Sequence, residues 1–131
     1  MDEPIWLRRR DCDAMHLDQL REHGGVFGTR DENALESALA RPRNKWSYEP
    51  TTSLAALAAA YGYGLAANHG YNDGNKRIAF VAMYTFLGLN GWDLEAPEPE
   101  VVEMMLALAG GQLDESELTI WLQDRLVEAP L

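Results

Sequence analysis

The chain has 131 residues, 47% of them hydrophobic and 24% charged, and its formal net charge is −10. This length and composition predict one globular domain, residues 1–131, and exclude a disordered chain. The acidic balance argues against direct nucleic-acid binding, because contacts with phosphate groups need a basic surface.

The spacing of apolar residues is helical almost throughout and predicts an all-α fold, a compact bundle of about six helices around a buried central helix. The first helix covers residues 11–23 and ends at Gly24 and Gly25. A capping box at residues 29–32 opens the second helix, and Pro42 ends it. The loop that follows, residues 42–50, is interpreted as a surface loop anchored by one aromatic residue. A flap beside a functional site is the alternative for its Arg43, Lys45, Trp46 and Tyr48.

The third helix is predicted from Leu54 to Asn68, after a cap within residues 51–53. The fourth helix covers residues 75–89 and ends at Asn90 and Gly91. Because this helix is apolar on nearly every side, we expect it to be the buried central helix of the bundle.

Residues 92–94 are the one plausible extended segment, and the fifth helix is predicted at residues 97–109. A capping box formed by Asp114 and Glu117 opens the sixth helix. Its inward-facing positions are Leu118, Trp121, Leu122 and Leu126.

Cys12 is the only cysteine, so the chain has no internal disulfide and no cysteine-based zinc site. The N-terminal residues lack the apolar stretch of a secretory signal. The longest run of low polarity, residues 54–67, is too short to span a bilayer. We therefore expect a cytoplasmic protein without a membrane partner.

Residues 69–77, HGYNDGNKR, place a polar cluster between two apolar helices. The N-terminus of a helix exposes unpaired backbone N–H groups and carries partial positive charge. Lys76 and Arg77 add cations to the first turn, where the helix dipole disfavours them unless an anion binds. The cluster therefore predicts a phosphate-binding site formed by Asn72, Gly74, Asn75, Lys76 and Arg77.

Two further side chains would complete a site for phosphoryl or nucleotidyl transfer. A carboxylate beside phosphates, as at Asp73, suits Mg²⁺, and the imidazole of His69 suits a general base near neutral pH. Structural roles are alternatives for single residues: a helix cap for Asp73, a helix C-terminus for His69, and turn formation for Asn72 and Gly74. Tyr71 is expected to pack beneath the loop.

Histidines also occur at positions 16 and 23 of the first helix. Neither His16 nor His23 has an obvious partner in the sequence, and we expect both to lie at the surface.

The segment from His69 to Arg77 resembles the signature of the Fic/Doc family, His-x-Phe-x-Asp/Glu-Gly-Asn-Gly/Lys-Arg, with Tyr71 in place of phenylalanine. Upstream, residues 30–42 resemble the second helix of the Doc, or death-on-curing, branch. The order of the helices extends the resemblance over most of the chain and implies a single Fic/Doc domain.

The branch matters for the implied chemistry. Fic proteins carry a second glycine at the position of Lys76 and a second arginine at the position of Phe80, and they typically transfer AMP to a protein hydroxyl. The resemblance to Doc-like toxins instead implies transfer of the γ-phosphate of ATP to a threonine of elongation factor Tu, which blocks translation. It makes His69 the general base and Asp73 the Mg²⁺ ligand, while Lys76 and Arg77 neutralise phosphates.

The resemblance further implies a partner, a small antitoxin whose tail folds on the toxin and occupies the active-site groove. The self-inhibitory motif of the family, Ser/Thr-x-x-x-Glu-Gly/Asn, does not occur in the sequence, so inhibition is expected from that partner. Two alternatives stay open: a Fic-type AMP (nucleotidyl) transferase, and a non-catalytic module that binds a nucleotide or a peptide. His69 and Asp73 argue against the second, because binding alone needs neither a base nor a metal ligand.

Overall fold

The computed structural model of the protein describes residues 2–130. It contains six α-helices and two short β-strands, which confirms the predicted all-α fold. In chain order the elements are α1 (Arg9–His23), α2 (Glu32–Tyr48), α3 (Leu54–Asn68), α4 (Asn75–Leu89), β1 (Trp92–Leu94), α5 (Glu98–Ala109), α6 (Glu115–Gln123) and β2 (Leu126–Glu128). No helix within the described residues is long and apolar enough to cross a membrane.

The central helix of the bundle is α3, and the prediction that α4 has this position was wrong. Ten of the 15 residues of α3 are buried, against six of the 15 residues of α4. The sequence of α3 is rich in alanine and glycine, and these small side chains let α2, α4 and α6 pack closely around it. On α4, Tyr84 and Leu89 are 46% and 45% exposed, so part of its apolar surface meets solvent.

The second helix continues through Pro42 to Tyr48, so Pro42 does not end it as predicted. Proline removes one N–H bond from the helix and strains the preceding turn, at a cost of about 3 kcal/mol. Tertiary contacts compensate, because Pro42 is fully buried and Trp46 packs against the core one turn later. The cap also differs from the predicted box, since the Asp31 side chain accepts the N–H of Ala34 at 3.0 Å.

The C-terminal part of the described chain pairs with the segment after α4. Strands β1 and β2 are antiparallel, with Leu94 opposite Leu126, which confirms the extended segment at residues 92–94. Leu126 lies in β2, so its predicted inward position on the sixth helix was wrong. The helix boundary depends on this pairing with a distant strand, which local periodicity does not reveal. The capping box of Asp114 and Glu117 is confirmed.

The close packing of α3 on α4 generates a stability prediction with an internal control. A methyl group added at Gly62 would lie 2.8 Å from both Cγ and Cε of the fully buried Met83, so Gly62→Ala should lower the free energy of unfolding by about 1–3 kcal/mol. At Gly88 on α4 nothing lies within 4 Å, and Gly88→Ala should raise it by about 0.5–1 kcal/mol through helix propensity. Urea denaturation measures both changes, and a stabilised Gly62→Ala protein would contradict the packing argument.

Candidate active site

The loop between α3 and α4 turns through two residues with left-handed backbone conformations. His69, the C-cap of α3, has φ 49° and ψ 49°, and it is the one non-glycine residue with positive φ within residues 2–130. Gly74, the N-cap of α4, has φ 76° and ψ 16°. A histidine in this region is strained, which is a frequent property of residues at functional sites.

A neighbouring segment holds the loop on one side. The carbonyl of Gly70 accepts the N–H groups of Arg30 at 2.8 Å and Asp31 at 3.0 Å. The N–H of Asn72 donates to the carbonyl of Gly28 at 3.0 Å, and its side-chain amide donates to the carbonyl of Phe27 at 3.3 Å. The side chain of Asn72 thus supports the turn, as the structural alternative for this residue predicts.

Tyr71 holds the loop from beneath, and the prediction that it packs there is confirmed. Its ring stacks on the imidazole of His16 with centroids 3.7 Å apart, and its hydroxyl donates to Oδ1 of Asp13 at 2.6 Å. Burial, followed by the proximity of Cys12 and Asp13, raises the pKa of the Tyr71 hydroxyl above its ordinary value, so it stays a donor. Asp13 in turn accepts from Arg9, which connects α1 to α2 through Glu32.

His16 is only 2% exposed, so its predicted surface position was wrong. Its Nε2 lies 2.7 Å from the carbonyl oxygen of Asp73, which makes this nitrogen the N–H donor. The repeat of Cys12, His16 and Leu20 at every fourth residue is the signal in the sequence that places this histidine on the buried face of α1.

Asn75 shapes the loop with its side chain and leaves its backbone to the site. Its Oδ1 accepts the N–H of Tyr71 at 3.1 Å, and its Nδ2 donates to the carbonyl of Tyr71 at 3.0 Å. No side chain caps the N-terminus of α4, whose N-cap is Gly74. The first-turn N–H groups of α4 are therefore not taken by a capping side chain, as an anion site requires.

The predicted site residues share one cleft of about 510 Å³. Its lining consists of Ala66, His69, Asn72, Asp73, Gly74, Asn75, Lys76, Arg77 and Ala109. His69 also lines an adjoining cavity of about 250 Å³, on the side of the turn between α5 and α6. An exposed imidazole between two cavities can face two reactants at once.

The charges of the cleft are arranged for an anion. Lys76 is exposed and pairs with no carboxylate within residues 2–130. Arg77 donates to the carbonyl of Gly24 at 3.0 Å, while its buried Nε has no partner within the same residues. Two cations without carboxylate partners in one helical turn are unusual in a chain with 21 acidic and 11 basic residues.

The carboxylate of Asp73 is oriented by the backbone. It accepts the N–H of Gly74 at 2.9 Å and that of Val26 at 3.3 Å. These bonds, the one from Gly74 first, hold the pKa of the Asp73 carboxyl below its ordinary value, and the charges of Arg77 and His16 add to the effect. The carboxylate is thus ionised at neutral pH and suits a hard cation.

The side chains of the cleft fit Mg²⁺ in only one of the ways in which proteins usually bind this ion. Residues 2–130 contain no cluster of three or more histidine, cysteine, aspartate or glutamate side chains that would enclose a metal. Mg²⁺ commonly takes one or two carboxylates and fills its coordination with water and substrate phosphates. A single oriented carboxylate beside an anion site, as at Asp73, fits that mode.

The four residues considered for a flap lie away from the cleft. Arg43, Lys45, Trp46 and Tyr48 belong to the C-terminal part of α2 and do not line the cleft. The segment beside the cleft is instead the glycine loop, residues 24–28, whose Val26 and Phe27 are 64% and 71% exposed. Residues 43–48 are helical, so the predicted loop at residues 42–50 was wrong, and its flap alternative with it.

Comparison with known proteins identifies the chain's relatives. The model of the Fic/DOC family matches residues 6–87, which contain the complete cleft loop. The chain belongs to the Fic/DOC family. Within this family it is similar to "Protein kinase doc" of Escherichia phage P1, with 30% identity over 105 residues that cover 80% of this chain and 82% of that protein.

A second Fic/DOC relative is "Toxin Doc" of Mycolicibacterium smegmatis, 42% identical over 74 residues. This match spans 56% of the chain and 57% of the relative. Both relatives carry the name Doc, which confirms the prediction that the chain belongs to the Doc branch of the Fic/DOC family.

The contact beneath the loop predicts a change in stability without a change in the cleft. Tyr71→Phe keeps the ring on His16 and removes the hydroxyl that donates to Asp13, so the free energy of unfolding should fall by about 1–2 kcal/mol. Tyr48→Phe is the matched control, because Tyr48 is 92% exposed. Thermal denaturation followed by circular dichroism measures both. An unchanged Tyr71→Phe protein would show that the 2.6 Å bond contributes nothing net.

Proposed function

We propose that the chain is the toxin of a type II toxin–antitoxin module that transfers the γ-phosphate of ATP to a threonine hydroxyl of elongation factor Tu and thereby blocks translation. Membership of the Fic/DOC family and similarity to proteins named "Protein kinase doc" and "Toxin Doc" support this proposal. A translation factor as substrate implies that the protein acts in the cytoplasm.

The observation that carries the proposal is the convergence of three features in one cleft. A strained, exposed His69, two cations without carboxylate partners and an uncapped helix N-terminus line the same 510 Å³. Anion binding alone would account for the two cations and the uncapped helix N-terminus, but not for His69. An imidazole between this cleft and a second cavity is useful where a nucleotide and a protein hydroxyl meet.

In the proposed reaction His69 accepts the proton of the attacking hydroxyl as general base, the hydroxyl oxygen bonds to the γ-phosphorus of ATP, and the bond to the β–γ bridging oxygen breaks to release ADP. The first-turn N–H groups of α4, with Lys76 and Arg77, stabilise the negative charge that spreads over the oxygens of the transferred phosphoryl group. Asp73 would hold Mg²⁺ together with the nucleotide phosphates, and the ion would supply further charge neutralisation. The bond from Arg77 to Gly24 keeps that guanidinium beside the loop.

Two positions favour phosphoryl transfer over AMP transfer. Lys76 occupies the place of the second glycine of AMP-transferring relatives, and its long side chain would crowd the site where the α- and β-phosphates would lie. Phe80 occupies the place of their second arginine, and its ring packs near that of Tyr84, with centroids 6.2 Å apart. We therefore propose that ATP presents its γ-phosphate to His69.

The restraint of this activity is proposed to come from a cognate antitoxin. The cleft is open at the surface, beside the exposed apolar side chains of Val26 and Phe27. A flexible peptide that folds on this surface could cover both the anion site and the apolar rim.

The first test is the intact mass of elongation factor Tu after incubation with the protein, ATP and Mg²⁺. We expect a phosphoryl increment that disappears without Mg²⁺ and whose rate of formation falls at least 10²-fold with His69→Asn, since the general base is lost. Asparagine tolerates the left-handed backbone of position 69, so this variant avoids the strain of alanine. His23→Asn, on the surface of α1, is the control. An adenylyl increment would support AMP transfer, and no increment would reject elongation factor Tu as the substrate.

Lys76→Gly tests why the γ-phosphate is chosen. Removing the long side chain should open the cleft to the α- and β-phosphates and add an adenylyl product to the phosphoryl one. Lys45→Gly is unsuitable as a control because Lys45 binds Glu115, so Lys76→Ala and Lys76→Arg serve instead, with Arg keeping the wild-type product. The intact mass of elongation factor Tu is measured after incubation with each of the three variants. Phosphoryl transfer without any adenylyl product in Lys76→Gly would refute the crowding explanation.

A further inference from the structure

We propose that His16 is a positioning residue that fixes the orientation of the peptide between Asp73 and Gly74, so that the N–H of Gly74 and the Asp73 carboxylate it binds lie on the side of the cleft where phosphate is proposed to bind. This role rests on the proposed function for its consequence, but the orientation itself is a property of the free protein. Neither the family signature nor the names of the relatives assign a role to His16.

The geometry starts from the carbonyl of Asp73. His16 donates from Nε2 to this oxygen at 2.7 Å on the buried side of the loop. The peptide bond that follows is trans, so its N–H points in the opposite direction from its C=O. The N–H of Gly74 is therefore on the exposed side, where it binds Oδ1 of Asp73 at 2.9 Å.

The plane of this peptide can turn about the axis through its two Cα atoms unless something holds it. A half-turn would reverse the sign of φ at residue 74, now 76°, and glycine accepts either sign at little cost. In the turned state the N–H of Gly74 would point at His16 and be lost to both the cleft and the Asp73 carboxylate. The N–H donor at Nε2 of His16 opposes that state, because two donors would face each other.

The imidazole is itself held in place. Its ring lies on the Tyr71 ring with centroids 3.7 Å apart and an angle of 9° between the planes. The loop rests directly on it, since a methyl group added at Gly74 would lie 3.4 Å from Nε2. A buried donor that is stacked and in contact with the loop imposes one orientation on the 73–74 peptide.

The orientation has two consequences for binding. It keeps the Gly74 N–H on the cleft side of the loop, next to the first turn of α4 where Lys76 and Arg77 line the cleft. It also keeps the Asp73 carboxylate on the two N–H groups, of Gly74 and Val26, that hold it at the entrance of the cleft. Losing the bond from His16 should therefore weaken both the anion site and the carboxylate beside it.

Three variants separate this role from simple packing. His16→Phe keeps an aromatic ring against Tyr71 and removes the donor. His16→Gln removes the ring but keeps a side-chain N–H donor about as far from the backbone as Nε2 of histidine, so it should rescue the function. His23→Phe is the matched control on the same helix, because His23 is exposed and approaches only Glu22 within 4.0 Å among the described ion pairs.

The first readout needs no ligand. Amide hydrogen exchange followed by NMR should show the Gly74 N–H exchanging roughly tenfold faster in His16→Phe, and at nearly the wild-type rate in His16→Gln and His23→Phe. In the wild type, the imidazole ¹⁵N spectrum should show His16 protonated at Nε2. Wild-type exchange at Gly74 in His16→Phe would overturn the proposal.

The second readout is calorimetric affinity for Mg²⁺–ATP, with roughly a tenfold loss in His16→Phe and recovery in His16→Gln. A wild-type protein that does not bind Mg²⁺–ATP would reject the proposed function, and the exchange experiment would still decide the role of His16. If His16→Phe does not fold, His16→Gln decides alone: exchange and affinity within twofold of wild type support the positioning role, and a tenfold loss of either overturns it.

Discussion

In the proposed function, the loop between α3 and α4 exposes backbone N–H groups while both flanking helices remain packed in the bundle, and the bond from His16 to the Asp73 carbonyl supports that loop from the buried side. Without support from beneath, a loop with glycines at positions 70 and 74 would sample several conformations. Two sets of contacts restrict the loop to the observed conformation. His16 stacks on Tyr71, and the side-chain amide of Asn75 binds the backbone of Tyr71. These contacts lie beneath the cleft and support the residues that line it.

The small side chains of α3 provide the frame for that loop. Alanine and glycine along α3 allow α2 and α4 to approach closely, and this brings the start of α4 beside the end of α1. The result is a cleft with local positive charge on a protein of net charge −10. Such a contrast would favour an anionic ligand at the cleft while the rest of the surface repels polyanions.

Much of this arrangement could be predicted because its signals are local. The boundaries of α3 and α4 follow from a serine cap and from glycine at the turn, and the residues of the cleft are contiguous in the chain. A contiguous loop keeps its members together in any fold. What failed were conclusions that depend on distant partners: the helix through Pro42, the strand at Leu126 and the surface position of His16.

The sequence by itself determined the helical class and the position of the polar loop of the candidate site, because periodicity, capping and charge are properties of short stretches of chain. Only the tertiary structure decided which helix is central and which residue holds the Asp73 carbonyl, because 57 residues separate His16 from Asp73. A hydrogen bond between such distant residues exists only once the bundle has brought α1 against α4.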